Sequence, residues 1–346
     1  MYLPSLVKAH RLLSILLLVG ATILPSEAFA ASCLTQSQMT AAQRDSLSNA
    51  AKAMLSQMQR GDVQGLQANT LPAVAADFSG IAASVQNLKP QMQNAALTVE
   101  NVYILDASTQ EAGATRADFY CGQPVVSFNF SDLPAGTYAL AIGHVTGVPQ
   151  PQQIAIILAK SPPDKWMLAG LFSKPMIFEG HDGLWYWTSA RKYAGQNGNW
   201  AAWFYYRIAN NLLNPIDVMF SPNLQKLQQE TDKVKPANLP GTSPAPLTTH
   251  GSTYSLTAVD TTTTFGALDL DVHYTPDAMQ ASQLHDPPAA RKQVLDVMSA
   301  LLEQHPELHQ AFHGMWVHAD QGQVSLFALE LPMDGIAGSG TQPSAH

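Results

Sequence analysis

Charge, cysteine and long apolar runs are all scarce in this chain, and each shortage removes a class of protein. Charged residues make up 13% of the 346, the formal net charge is −8, and no run of five or more basic residues occurs. Nucleic acid and anionic membrane surfaces are both held by concentrated cationic faces, so neither is an expected partner. The two cysteines, Cys33 and Cys121, make no C-x-x-C pair, which removes the thiol redox motif. The apolar stretch at residues 12–24 falls short of the ~20 residues that span a bilayer. Catalytic signatures are missing too: H-E-x-x-H, the nucleophile elbow G-x-S-x-G, a P-loop and a G-x-G-x-x-G after a strand do not occur. What is present, 46% hydrophobic residues over this length, fits ordinary globular cores in two or three domains.

The first 30 residues read as a secretory signal peptide. A basic start (Lys8, His10, Arg11) leads into the apolar stretch, then Pro25, then Ala28-Phe29-Ala30 with small residues at −3 and −1 of a cut. Cleavage after Ala30 places the mature chain in the periplasm or the medium, with no membrane span left. Loss of Lys8, Arg11 and Glu27 takes the formal charge from −8 to −9. An uncleaved anchor and a lipid-modified Cys33 are the alternatives; the lipidation signal wants Leu three residues before the Cys, and Ala30 stands there. An oxidising compartment and an even count favour a Cys33–Cys121 disulfide. Closing that loop constrains the unfolded chain by ~4–5 kcal/mol in the entropy model.

Apolar spacing organises the rest as α+β. Leu47, Ala51, Met54, Leu55 and Met58 predict a helix over 41–59. Val74, Phe78, Ile81, Val85 and Leu88 predict a second over 71–88, stopped by Pro90. Short β-rich segments follow at 97–106, 115–121, 125–130, 137–145, 153–160 and 165–172. Two helices before a run of antiparallel strands put the helices on one face of a curved sheet.

Three features of residues 40–175 resemble the NTF2-like (SnoaL-like) superfamily. Arg60-Gly61-Asp62-Val63-Gln64-Gly65-Leu66 is similar to the GD-x-x-x-L turn after that family's first helix. The helix–helix–strands order is shared. Asp164-Lys165-Trp166-Met167-Leu168-Ala169-Gly170-Leu171 is similar to its closing hairpin. The resemblance implies a cone between sheet and helices, which holds a ligand or active site in some members and only packing in others. The matching strands offer Tyr103, Asp118, Tyr120, Tyr138 and His144, with no Asp–His pair. Tyr103, Tyr120, Tyr138 and His144 form the candidate ligand-binding set, and no catalytic residue is assigned.

Beyond 178 the texture changes. Residues 179–235 are aromatic-rich and predict a helical hairpin broken at Gly195-Gln196-Asn197-Gly198-Asn199. The spacing of Trp187, Gly198, Trp200 and Pro215 resembles a single tetratricopeptide unit, but one unit makes no repeat groove. Residues 236–252 read as a Pro-rich linker, 253–332 as a small ββαββ domain, and 333–346 as a disordered tail.

One constellation tests for metal. His305, His309 and His313 fall at i, i+4 and i+8, which on a helix stacks three imidazoles on one face. Glu307, Asp271 or His273 could add a ligand. The alternating acids Asp269-Leu270-Asp271 lack a calcium-loop spacing and describe a strand with one wet face. The sequence-level expectation is an exported, non-catalytic protein that binds a protein partner or a small apolar ligand, with self-association as a homodimer among the options and no cofactor. An enzyme with its site in the cone, and a periplasmic metal binder using the three histidines, are the alternatives.

Overall fold

The structure, a computed structural model, describes residues 31–111, 113–122, 126–249 and 251–337. The signal peptide expected at 1–30 and positions 338–346 of the expected tail lie outside the described residues. The fold is α+β, as the order of periodicities predicts.

The chain opens with β1 (Ser32–Thr35), α1 (Ala41–Arg60), α2 (Val63–Ala68), α3 (Pro72–Ala75) and α4 (Ser79–Met92). The five apolar residues that predict α1 are all buried along it. Thr40 and Gln43 close its N-terminus as a reciprocal capping box. Gly61 ends it at φ 68°, a left-handed conformation that glycine adopts without a Cβ clash. Asp62 then caps α2 by accepting from the Gly65 N–H at 2.9 Å. The single helix expected over 71–88 is instead two, and Pro90 lies inside α4. The helix runs past its proline because Met92 is fully buried, and the Gln59 side chain donates to the Met92 and Ala95 carbonyls at 3.0 Å. Those are carbonyls a helix end leaves without partners.

The strands β2 (Ala96–Asp106), β3 (Arg116–Cys121), β4 (Val126–Ser131), β5 (Thr137–Thr146), β6 (Gln152–Ser161) and β7 (Lys165–Pro175) do not make one sheet. An antiparallel sheet runs β1-β2-β5-β6-β7, while β3 and β4 leave it and pair with each other. Val102, Ile104, Ala139, Ala141, Ile154, Ile156 and Leu158 face α1 and α4. Tyr103, Leu105, Tyr138, Leu140 and Ile142 face Phe119, Phe128 and Phe130 of the β3–β4 ribbon. Burial on both faces explains why β5 and β6 read as continuous apolar runs rather than alternation. The Cys33–Cys121 disulfide is formed, with Cα atoms 5.1 Å apart, and ties β1 of the sheet to β3 of the ribbon.

Next come β8 (Ile177–Phe178), β9 (His181–Asp182), α5 (Gly183–Gly195), α6 (Asn199–Leu213), β10 (Met219–Phe220) and α7 (Pro222–Val234). The helical hairpin is α5–α6, and β10 returns to extend the ribbon beside β4. The last part holds β11 (Ala245–Thr249), β12 (Ser252–Thr262), β13 (Asp269–Thr275), α8 (Ala278–Gln283), α9 (Pro287–Gln304), α10 (Leu308–Ala311), β14 (Gly314–Gln321), β15 (Val324–Pro332) and α11 (Met333–Ala337). Two expectations are corrected here. The linker read over 236–252 contains β11, whose Ala245, Leu247 and Thr249 alternate into the core, so the ββαββ unit gains an edge strand. The tail read from 333 begins as α11, which buries Met333 and Ile336. The sheet order is β11-β12-β13-β14-β15, antiparallel except for the parallel pair β13–β14 that the α8–α10 crossover connects. Residues of α5, α6, α9 and one face of this sheet share a single core. The other face carries the polar residues of β13 and β14, and it positions the site.

Candidate metal centre

Strand alternation builds the site. Along β13, Leu270, Val272 and Tyr274 enter the core, so Asp269, Asp271 and His273 take the opposite face. Along β14, Met315, Val317 and Ala319 enter it, so Trp316, His318 and Asp320 take the opposite face. Parallel pairing sets Asp271 beside Trp316 and His273 beside His318.

Asp271 Oδ1 lies 3.4 Å from His273 Nε2 and 3.2 Å from His318 Nε2. All three donor atoms fall within 4.8 Å of one another. Ligand atoms around a tetrahedral zinc with bonds of ~2.0–2.1 Å stand about 3.3 Å apart, so the Asp271 distances are those of coordination edges. Asp271 Oδ1 and His318 Nε2 are buried and make no well-directed hydrogen bond, although Asp271 Oδ1 lies at ion-pair distance from both imidazoles. The His318 side chain is 9% exposed, and a buried polar atom left unpaired costs ~1–3 kcal/mol; a cation would satisfy both atoms at once.

Behind the first imidazole, His273 Nδ1 is 2.6 Å from Asp320 Oδ2. A carboxylate there fixes the ring and its tautomer and turns Nε2 toward the metal side, the arrangement found behind many ligating histidines. The His273 and His318 rings stack at 4.3 Å and 8°. Trp316 leans on His318 at 4.1 Å, and Phe265 meets Trp316 edge-on at 5.0 Å, so aromatic surface screens one side of the donors.

Without a metal the two rings differ in charge. The Asp271 carboxylate, and after it Asp320, hold a proton on His273 and push its pKa up to about 9, against the opposing cost of burial. Burial first, then the charge on His273, push His318 below the ordinary histidine range. One imidazole is therefore neutral and ready to ligate, while the other must lose a proton first.

The three histidines expected on one helix face are not brought together. Pro306 follows the end of α9, and α10 spans only Leu308–Ala311, so no continuous helix carries them. His305 stacks on Trp200 at 4.4 Å, His309 lies 3.3 Å from Asp334, and His313 lies 3.2 Å from Asp269. The cone set does not converge either. Tyr103 packs edge-on against Phe128, and the Tyr138 hydroxyl donates to the Pro134 carbonyl. Tyr120 is 62% exposed, and His144 lies 4.0 Å from Glu100. Tyr103, Tyr138 and His144 stand on the sheet face that meets the ribbon, away from α1 and α4. Tyr138 and His144 are six residues apart on β5, about 20 Å at ~3.3 Å per residue. Asp118 is paired with Arg116 and Asn129.

A cleft of about 800 Å³ lies elsewhere, among Lys174, Trp203, Arg207, Asp217 and Asp260. Among its charges Lys174 pairs with Asp217 and Arg207 with Asp260.

Asp271 and His273 are legible in the sequence as possible extra ligands, whereas His318, the last of five histidines within residues 285–318, has no spacing that marks it. The missed signal is a double alternation, Asp271-x-His273 and His318-x-Asp320, which places two pairs of donors on strand faces. Nothing local says that these two strands are parallel neighbours. No family model, curated protein or solved structure matches this chain.

Proposed function

We propose that this is an exported protein that binds a divalent transition metal, zinc by its donor set, through Asp271, His273 and His318 with Asp320 orienting His273. The observation that carries the reading is the convergence of Asp271 Oδ1 on two imidazole nitrogens, 3.2 Å from the buried His318 Nε2 and 3.4 Å from His273 Nε2, with no well-directed hydrogen bond between Asp271 and His318. Imidazole nitrogen favours zinc, copper and nickel over magnesium and calcium. Three protein ligands leave one position of a tetrahedral ion to water or to a further ligand. Export is supported by the leader pattern at 1–30 and by the disulfide, which suits an oxidising compartment. Helices over an antiparallel sheet support the NTF2-like reading of the first unit, and its filled helix-to-sheet layer suits a packing role rather than a ligand cone. The aromatic hairpin lends less to partner binding, since Tyr186, Trp187, Trp200, Phe204, Tyr205 and Tyr206 are buried.

The test is calorimetric titration of zinc into the oxidised, chelator-stripped chain at pH 8. Saturable binding that a large excess of magnesium does not displace is expected. His318→Ala and Asp271→Asn should each lower the affinity at least 100-fold, and Asp320→Asn about 10–100-fold through its loss of orientation. Unchanged zinc affinity in His318→Ala would overturn the reading.

A further inference from the structure

The same sheet face carries a second donor set that the first does not use. We propose that Asp269, His313 and Glu330 form a separate, oxygen-richer cation site that takes a divalent ion of the manganese class. It deepens the metal-binding reading and rests on it only in treating this sheet face as a cation-binding surface.

Asp269 stands two residues before Asp271 on β13 and points to the same face, about 6.6 Å away at ~3.3 Å per residue. Its register partner on β14 is Gly314. Glu330 reaches in from β15, where it pairs with Trp316. His313 Nδ1 lies 3.2 Å from Asp269 Oδ1, and the three donor atoms fall within 4.8 Å of one another. Trp316 occupies the position between Gly314 and His318 on β14, so the two donor sets are distinct.

One observation points to a ligand here, and a second shows how closely its donors pack. Asp269 is completely buried and its Oδ2 has no hydrogen-bond partner. Among the described residues its ion-pair partner is His313, itself 57% exposed, and no lysine or arginine pairs with Glu330. A buried carboxylate beside a second carboxylate with no fixed cation is a costly arrangement. The second observation is Gly314. A Cβ there would come within 2.8 Å of Glu330 Oε1, 2.8 Å of the Leu331 carbonyl oxygen and 2.9 Å of Asp269 Oδ1. Both carboxylates thus crowd over the one position on this face without a side chain. The donor types set the chemistry: two carboxylates and one imidazole form a harder set than Asp271, His273 and His318, and carboxylate oxygen suits manganese where imidazole suits zinc.

The experiment counts manganese on the intact oxidised chain by the loss of the free Mn²⁺ electron paramagnetic resonance signal, first metal-free and then after one equivalent of zinc. One manganese per chain that survives zinc loading and survives His318→Ala is expected. Glu330→Gln and His313→Gln should each weaken manganese at least tenfold while zinc binding at the first site stays unchanged, which also shows that these variants fold. Gly314→Ala, by placing a methyl group against both carboxylates, should weaken manganese as well. No manganese bound by the wild type, or binding indifferent to both Glu330→Gln and His313→Gln, overturns the second site. Zinc lost in His318→Ala with no manganese bound anywhere leaves the first site standing and removes the second. Manganese lost in Glu330→Gln with zinc indifferent to His318→Ala does the reverse.

Discussion

At the scale of single residues, His273 decides how the first site responds to pH. Its folded pKa of about 9 lies above the ordinary histidine value of 6.5, so the metal-free folded chain binds this proton more tightly than the unfolded chain does. The resulting stabilisation is full below pH 6.5 and is lost as pH rises through 9. Asp320→Asn should therefore lower the melting temperature of the metal-free protein at pH 6 and change it far less at pH 9.5, measured by thermal denaturation with chelator present. Metal and proton compete for the same nitrogen, so zinc affinity should climb about tenfold per pH unit between 7 and 8.5 and level off above 9. Calorimetry in buffers of different ionisation enthalpy should register about one proton released per zinc at pH 7; none released would mean that His273 is not a ligand. These donors were half legible in the sequence. Histidine and aspartate at alternate positions announce a polar strand face, but only the parallel register of β13 and β14 turns two polar faces into one site. The i, i+4, i+8 histidines misled because the spacing has meaning only on a continuous helix, and Pro306 breaks it.

Elements mostly followed their local signals, the split of 71–88 into α3 and α4 being an exception. The five α1 positions are buried as their spacing predicts, and Tyr186, Trp187, Trp200, Phe204, Tyr205 and Tyr206 of the α5–α6 hairpin are buried while Trp185 is 41% exposed. β11 escaped because its pattern, Ala245-x-Leu247-x-Thr249, is short and sits among prolines. Pro90 misled because the Gln59 side chain, 31 positions earlier, supplies partners for the carbonyls beyond it. Long-range side-chain links of that kind also join α7 to the hairpin. Glu230 of α7 accepts from Trp187 Nε1 at 2.7 Å and from Arg191 Nε and Nη2 at 2.8 and 2.9 Å. Arg191 in turn lies over the Trp187 ring at 4.5 Å. The hydrogen bonds from Arg191 hold the Glu230 carboxyl below its usual range, so this link is present above the ordinary glutamate pKa and fails as pH falls below it. Glu230→Ala leaves the partly buried Trp187 N–H unpaired and removes a two-pronged charged contact. A loss of about 2–3 kcal/mol in urea denaturation at pH 7 is expected, shrinking at pH 3.5. A loss under 0.5 kcal/mol at pH 7 would show that the contact is only a surface pair.

Across the whole molecule, the hairpin is the element whose allegiance the sequence could not assign. Its aromatics read as a separate unit between two domains, yet Trp200, Phe204 and Tyr205 share a core with Leu270, Val272 and Val317 on the buried side of the C-terminal sheet. The Tyr205 hydroxyl donates to the Ala311 carbonyl at 2.7 Å within that core. The hairpin also touches the first unit, where Gln153 Nε2 donates to the Leu212 carbonyl at 2.7 Å, but the β1–β7 sheet keeps cores of its own. Shared burial predicts that hairpin and C-terminal sheet unfold together. Trp185, Trp187, Trp200 and Trp203 lie on the hairpin, so tryptophan fluorescence follows mainly its unfolding. Zinc bound to Asp271, His273 and His318 stabilises only the cooperative unit that contains those residues, by about 2.7 kcal/mol at a free concentration 100 times the dissociation constant. If the two elements form one unit, zinc should move the fluorescence midpoint in urea by the same free energy as the midpoint of zinc release. A fluorescence midpoint indifferent to zinc, with zinc release shifted alone, would divide the shared core into two independently stable parts.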